Sequence, residues 1–337
     1  MTTGTLTIDL SAIRANWRAL SGIAGFPAGA VVKADAYGLG VDHVVPALWE
    51  SGARDFYVAV ASEGAAVRKA APEARVFVFS GCMAGDAEAI RDHRLIPLLN
   101  SPEQWRRHRE TGLPYGVQVD TGMARLGMQP DDWTELRGEM DAVLVMSHLA
   151  CADEPGHPQN AAQLRAFREI TDGEAPRSLA ATGGTLLGAD YAFDAVRPGI
   201  GLYGGAPFAD AAAVVRLSLP VVQVRTIPAG APVGYGASWV AECETRVATV
   251  SGGYADGLIR AMSNGAALWH EGRPCPLIGR VSMDLLTIDV TDLPDEPEAL
   301  DILCPEQGVD ALADAAGTIG YEILTSLGNR YSRAIVA

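Results

Sequence analysis

The chain holds twenty-four arginines but only two lysines, Lys33 and Lys69. A sequence that writes nearly every cation as arginine keeps lysine where a guanidinium fails. Arginine stays charged at any pH a protein meets, whereas a desolvated lysine sheds its proton and becomes a nucleophile. Lys69, in Arg68-Lys69-Ala70-Ala71-Pro72, reads as a solvated helix end. Lys33 lies in Val31-Val32-Lys33-Ala34-Asp35-Ala36-Tyr37-Gly38-Leu39-Gly40, after a β-branched pair and before a glycine-bearing loop. That context places it at the end of a buried strand, where it could form a Schiff base with a carbonyl cofactor. A snorkelling or ion-paired lysine at a strand terminus has the same local sequence, and context alone leaves both readings open.

The elements that must position Lys33 are legible as alternating strands and helices. Short strand-like runs fall at 31–34, 56–60, 76–79, 96–99, 116–120, 142–148, 178–182 and 195–199. Amphipathic stretches lie between most of them, at 42–51, 62–71, 101–111 and 159–171, the last with Leu164, Phe167 and Ile170 at helical spacing. Ser101-Pro102-Glu103-Gln104 opens a helix with an N-cap serine and a proline at the first helical position. Eight such repeats in about 200 residues is the arithmetic of a (β/α)8 barrel. A doubly wound sheet would normally carry fewer strands and an early glycine fingerprint, which is missing here. After residue 218 the texture changes to strand-like segments at 221–227, 245–250, 268–270, 285–290 and 302–304, broken by Pro-Ala-Gly, Gly-Tyr-Gly and Gly-Arg-Pro turns. A helical pattern returns only at 309–316. The organisation expected is therefore α/β, with a TIM-type barrel over 1–218 and a mostly β domain over 219–337.

Barrel enzymes carry their working groups at the C-terminal ends of the strands. There this chain has Lys33 and Tyr37, the run Asp120-Thr121-Gly122-Met123-Ala124-Arg125, His148, Thr182-Gly183-Gly184 and Arg197-Pro198-Gly199-Ile200. The loops after the last two barrel strands are the usual phosphate site of the fold, where backbone N–H groups meet the anion. Glycines there permit close approach, and the Thr182 hydroxyl adds a donor. A nucleophilic lysine beside a phosphate site points to pyridoxal 5′-phosphate.

Composition narrows the alternatives. A formal charge of −15 and a pI of 4.8 argue against nucleic acid or an anionic membrane as partner. No apolar run approaches the ~18 residues that a membrane helix needs. The opening Met1-Thr2-Thr3-Gly4-Thr5-Leu6 has neither a basic nor an apolar signal region, so a cytoplasmic location is expected. Five scattered cysteines with no Cys-x-x-Cys pair fit reduced thiols, and six histidines show no metal-ligand spacing, so no metal is expected.

Together the motifs resemble those of bacterial alanine racemases. Val32-Lys33-Ala34-Asp35-Ala36-Tyr37-Gly38-Leu39-Gly40 resembles their cofactor-lysine motif. The likeness continues through 120–127, Ser147-His148-Leu149-Ala150, 196–204, Gly253-Tyr254-Ala255-Asp256-Gly257, 279–284 and Tyr321-Glu322-Ile323-Leu324, in order and across both domains. The resemblance implies an isomerase that interconverts L- and D-alanine for the cell wall, and a homodimer in which each barrel faces the partner's β domain. It implies that Lys33 carries the cofactor as a Schiff base and that Tyr37, Thr182, Gly199, Ile200 and Tyr321 hold its phosphate. Arg197 would face the pyridine nitrogen, and His148, with Arg197 behind it, would help stabilise the tyrosine phenolate. Tyr254 of the partner subunit would be the second base, with lysine on the D side and tyrosine on the L side. Arg125, the Met283 N–H and Asp284 would surround the substrate carboxylate and so orient the Cα–H bond.

On residue type alone, Tyr254 reads as a turn tyrosine, His148 as a core histidine and Met283 as core. A tyrosine with a reference pKa of ~10 needs help to act as a base near neutrality. The chain also departs from the family pattern. Gln118 stands where many members have a carbamylated lysine; a neutral amide there could still hydrogen-bond Arg125 but would not neutralise it. Ser178 and Ala181 replace a frequent His and Asn, and Thr182 a Ser. Three other readings stay in play: the same chemistry on another amino acid such as serine; a non-catalytic pyridoxal-phosphate-binding protein, against which Tyr254 argues; and a fold-related decarboxylase or lyase, which would need a different carboxylate arrangement or a metal site.

Overall fold

Leu6 and Ile8 alternate with polar neighbours. In the computed structural model, which describes residues 3–173 and 176–337, they form the buried face of a first strand, β1 (Thr5–Asp9). The helix Leu10–Ala24 follows. Seven parallel strands come next: β2 (Ala30–Val31), β3 (Asp55–Val58), β4 (Arg75–Val78), β5 (Leu95–Leu99), β6 (Gly116–Gln118), β7 (Val145–Met146) and β8 (Arg177–Ser178), each bonded to the one after it. Parallel strands are covered on both faces, so they read as continuous apolar runs: Phe56, Tyr57 and Val58 are all fully buried.

Residues 195–198 close the ring without forming a regular strand. Arg197 N donates to Ala180 O at 2.8 Å, and on the other side Gly29 N donates to Val196 O and Val31 N to Pro198 O, both at 3.0 Å. Pro198 has no N–H, which shortens this ladder. The result is the expected eight-membered barrel.

Its helices lie within a residue or two of their expected places: Val41–Ser51, Ala61–Ala70, Pro102–His108 with a 3₁₀ turn Arg109–Thr111, and Pro158–Ile170. Ser101 caps as expected, its Oγ accepting from Gln104 N at 3.3 Å. Several barrel strands are shorter than the sequence runs, β6, β7 and β8 most of all. In particular, the first barrel strand stops at Val31, two residues before Lys33, and Thr182 opens the short helix Thr182–Leu186 instead of ending a strand.

The second unit is built from β9 (Val215–Ile227), β10 (Pro232–Val233), β11 (Trp239–Val240), β12 (Thr245–Ser251), β13 (Ala267–His270), β14 (Arg273–Pro276), β15 (Leu285–Asp289), β16 (Ala299–Leu303) and β17 (Ser332–Val336). One sheet runs β14-β13-β16-β9-β1-β17, with β12 pairing both β9 and β15, while β10 and β11 form a separate hairpin around Gly-Tyr-Gly. The helix Val309–Ala316 matches its expected span, and a further helix, Gly320–Ser326, carries Tyr321.

The division of the chain therefore differs from a cut at 218/219. β1 belongs to this second unit, which takes up the chain again at residues 203–205 and from Ala212 onward. The cause is pairing: Thr5 lies opposite Ser218 on antiparallel β9 and opposite Ser332 on parallel β17, so β1 fills the gap between them. Among the described residues, no helix is long and apolar enough to cross a membrane.

Candidate active site

The turn after β2 is the most strained backbone in the barrel unit. Ala34, Asp35, Ala36 and Tyr37 have φ of 53°, 54°, 53° and 57°, a left-handed turn built from four consecutive non-glycine residues. Each costs about 1–2 kcal/mol, so neighbouring groups must over-determine the conformation. Glu63 supplies much of that constraint. Its Oε1 accepts from Ala34 N and its Oε2 from Ala59 N, both at 2.8 Å, tying the ends of two barrel strands to one carboxylate. Asp35 Oδ1 accepts from Val41 N at 2.7 Å, and Gly38 N donates to Ala34 O at 2.7 Å.

The turn fixes two side chains. Lys33, at its start, has its pKa lowered first by burial and then by the positive charge of Arg125, with Glu63 opposing the shift. Tyr37, at its end, is buried with its hydroxyl over the Cα of Gly199, and any Cβ at position 199 would collide with that hydroxyl. Thr182 Oγ1 accepts from Gly199 N at 3.0 Å and from Gly201 N at 3.3 Å, and Ile200 between them is fully buried. Two hydroxyls thus converge on a backbone with no room for a side chain. That is a donor set suited to a phosphate monoester, and beside a lysine of lowered pKa it fits pyridoxal 5′-phosphate. Gly183 and Gly184 are needed for another reason: side chains there would press on Ala152 and Asp153, and on Leu149 and Ala180.

Arg197 is 1% exposed and donates to neutral acceptors. Nη1 donates to Ser178 Oγ at 2.5 Å, and Nη2 donates to Ser147 O at 2.8 Å and Leu179 O at 3.4 Å. Burial pushes its pKa down to about 10, so it remains a cation at neutral pH. Ser178 Oγ donates its own hydrogen bond to Ala195 O at 2.6 Å, so the serine supports Arg197 through a neutral chain of hydrogen bonds.

His148 is driven down to about 3 by burial and then by Arg197, Arg125 and Lys33, so its ring is neutral at physiological pH. This has a stability consequence. An unfolded histidine titrates near 6.5. As pH falls from about 6.5 to about 3, the unfolded chain gains the proton first, and stability drops by about 1.4 kcal/mol per pH unit from this group. Its contribution is complete above about 6.5. His148→Gln should flatten that slope relative to the parent, as read from urea midpoints between pH 4 and 7. Parallel slopes would show that His148 is not held neutral.

Gln163, missed in the sequence, fixes the backbone around His148. It is fully buried; Nε2 donates to His148 O at 3.0 Å and Oε1 accepts from Ala150 N at 2.8 Å. Its position beside Leu164 on a helix with a recognised apolar stripe was the available signal. Arg125 is exposed at the tip of a loop that Asp120 organises by accepting from the N–H groups of Gly122, Met123 and Ala124, each at 2.9 Å. The hydrogen bond that Gln118 donates goes to the loop backbone rather than to the Arg125 side chain. Its Nε2 donates to Leu126 O at 3.0 Å, holding the loop through the backbone of the next residue.

Lys33, Tyr37, Arg125, His148, Thr182, Arg197, Gly199 and Ile200 belong to the barrel unit, whereas Tyr254, Met283, Asp284 and Tyr321 belong to the β unit. Tyr254 is 43% exposed and opens the 3₁₀ turn Tyr254–Asp256. Its N–H donates to Ser282 O and that of Ala255 to Met283 O, both at 3.0 Å, so the turn lies directly against Met283 and Asp284. A concavity of about 370 Å³ is lined there by Tyr235, Tyr254, Arg260, Arg280, Met283 and Asp284. Asp284 pairs with Arg330 at 2.9 Å.

Comparison with known proteins adds an independent line. The alanine racemase N-terminal domain family model matches residues 8–207, and the C-terminal domain model matches residues 214–335. An alanine racemase of Jannaschia sp. (strain CCS1) is 61% identical over 99% of both chains. That of Dinoroseobacter shibae is also 61% identical, over 99% of this chain and 98% of its own. The crystal structure of alanine racemase from Bartonella henselae with covalently bound pyridoxal phosphate superposes with a TM-score of 0.93 at 36% identity, covering 100% of each chain.

Proposed function

The chain belongs to the alanine racemase family, and from that premise we propose how its own residues divide the interconversion of L- and D-alanine. Membership makes it a pyridoxal-phosphate-dependent isomerase. When bound, the cofactor supplies an electron sink that acidifies the substrate Cα–H bond. Everything else falls to the protein.

Lys33 is the cofactor-bearing residue and the base on the D face, and Tyr254 is the base on the L face. Two bases on opposite faces allow a proton to leave one side of Cα and return from the other. The observation that carries this reading is Lys33 itself: one of only two lysines, on a strained turn that fixes it, with its charged form disfavoured by burial and Arg125. Tyr37, Thr182, Gly199, Ile200 and Tyr321 grip the phosphate. Arg197 faces the ring nitrogen and, as a guanidinium, yields no proton to it. The substrate carboxylate sits between Arg125 and the Met283 N–H, with Asp284 alongside. His148 is neutral and can therefore accept a hydrogen bond from a phenol without adding charge.

The working form is a homodimer in which Tyr254 serves the partner's barrel. Support comes from the β unit, which exposes Tyr235, Tyr254 and Met283 around one concavity, large apolar groups that a monomer seldom leaves together in water. The location is the cytoplasm, consistent with five free cysteines, and the product D-alanine serves the cell wall.

A chiral assay over a panel of amino acids tests the substrate. Alanine should racemise with a kcat/KM at least about tenfold above serine, and serine equal to or above alanine would overturn the assignment. Borohydride treatment followed by peptide mapping should place the cofactor on Lys33. Label on Lys69, or none, would remove the central residue.

A further inference from the structure

We infer that Arg330 is the positioning residue of the Tyr254 turn, one guanidinium setting the distance between the tyrosine base and the backbone that meets the substrate carboxylate. This rests on the two-base reading above. Arg330 Nε donates to Asp256 Oδ1 at 2.6 Å and Nη2 to Asp256 Oδ2 at 2.7 Å, a bidentate pair with a fully buried carboxylate. Asp256 lies two residues after Tyr254, and its Oδ2 also accepts from Gly253 N at 2.9 Å, so the carboxylate closes the turn from within. The remaining arm, Nη1, donates to Asp284 Oδ1 at 2.9 Å, immediately after Met283.

The packing leaves little slack around this bridge. A Cβ on Gly253 would strike Met283 O, and one on Gly257 would strike Ser326 O, at the end of the helix that carries Tyr321. Gly328 N donates to Asp256 O at 3.0 Å. The turn is thus wedged between the 282–284 segment and the 326–328 segment, with Arg330 joining both sides.

The two arms differ in kind. The Asp256 arm is bidentate and ends on a fully buried carboxylate, which suits the fixed fork of a guanidinium and cannot be copied by an ammonium. The Asp284 arm ends on an exposed carboxylate, where an ion pair adds little stability. A contact of small energetic value made to the residue beside Met283 is what alignment requires.

Arg330→Lys keeps the charge and loses the fork. With the cofactor-loaded dimer in D2O, exchange of the D-alanine Cα–H should persist through Lys33 while inversion falls, so the ratio of exchange to racemisation should rise at least about tenfold. Loss of folded enzyme alone would lower both rates together and leave the ratio unchanged, which would overturn the inference. Amide exchange over residues 252–257 should quicken in the same variant while the barrel peptides stay as in the parent; unaltered exchange there would also overturn it. Tyr254→Phe, run in parallel, separates the two layers. If it too leaves the ratio at the parent value, the two-base reading fails and this inference with it. If it raises the ratio and Arg330→Lys does not, only the role of Arg330 falls.

Discussion

Lys33→Arg is expected to lower kcat by about 10⁴-fold or more in both directions, the sum of a lost covalent attachment and a lost base. The substitution keeps a basic side chain of similar length on the same turn. The turn is held by Glu63, Asp35 and Gly38 through the backbone, none of which depends on the Lys33 side chain. The thermal midpoint should therefore move by no more than a few degrees, within what about 1 kcal/mol produces in a domain of this size. The activity loss is chemical: a guanidinium cannot lose its proton in this range, so it can neither attack an aldehyde nor receive a proton from Cα. Burial and Arg125 already lower the Lys33 pKa, which raises the fraction of neutral amine, and arginine forfeits that adjustment entirely. Initial rates from each enantiomer, with borohydride trapping of the cofactor, provide the check. Lys69→Arg should match the parent in both. More than about one part in a hundred of residual turnover in Lys33→Arg would mean that another residue carries the cofactor.

The barrel was legible because each of its units is written locally. Leu164, Phe167 and Ile170 mark one face of a helix, and Ser101-Pro102 announces another, without reference to the rest of the chain. The closing segment at 195–198 and the first strand show the limit. Residues 195–198 close the barrel through four backbone bonds, to Gly29, Val31, Arg177 and Ala180, an arrangement no local pattern states. Thr5–Asp9 does alternate, with Leu6 and Ile8 buried, but five residues at the start of a chain do not say that their partners lie at 215–218 and 332–336. Long-range pairing decided the domain division, and it is invisible to periodicity.

The same division runs through the site. Lys33, Arg197 and Thr182 were recognisable by residue type and by place after a strand. Glu63, Gln163 and Arg330 were not, because what they hold is backbone or carboxylate far away in sequence. Glu63 reaches Ala34 across 29 residues, Gln163 reaches Ala150 across 13, and Arg330 reaches Asp256 across 74. An acid, an amide and an arginine on helices or loops have many ordinary uses, and only the fold selects one. Gln118 illustrates the converse: its type suggested a partner in Arg125, and the geometry gave it the carbonyl of Leu126 instead.

Tyr254→Phe should lower racemisation by about 10³-fold, a typical share for one positioned acid–base group. Phenylalanine keeps the ring. The turn itself is secured by backbone bonds from Tyr254 N to Ser282 O and from Gly257 N to Tyr254 O, and by the Asp256–Arg330 pair, so the change removes one hydroxyl and little else. The loss must be equal in kcat/KM for the two directions, since enantiomers have equal free energy in water and no variant can alter that equilibrium. Steady-state rates therefore cannot tell which face has lost its base, but isotope exchange can. In D2O the variant should exchange the Cα–H of D-alanine through Lys33 and return it as D-alanine, while L-alanine, which presents its proton to the missing phenol, should exchange slowly. Equal exchange from both enantiomers, or racemisation within tenfold of the parent, would rule out a tyrosine base on the L face. A single base would have to take the proton from one face of Cα and return it to the other, whereas Lys33 is anchored at the start of a four-residue left-handed turn.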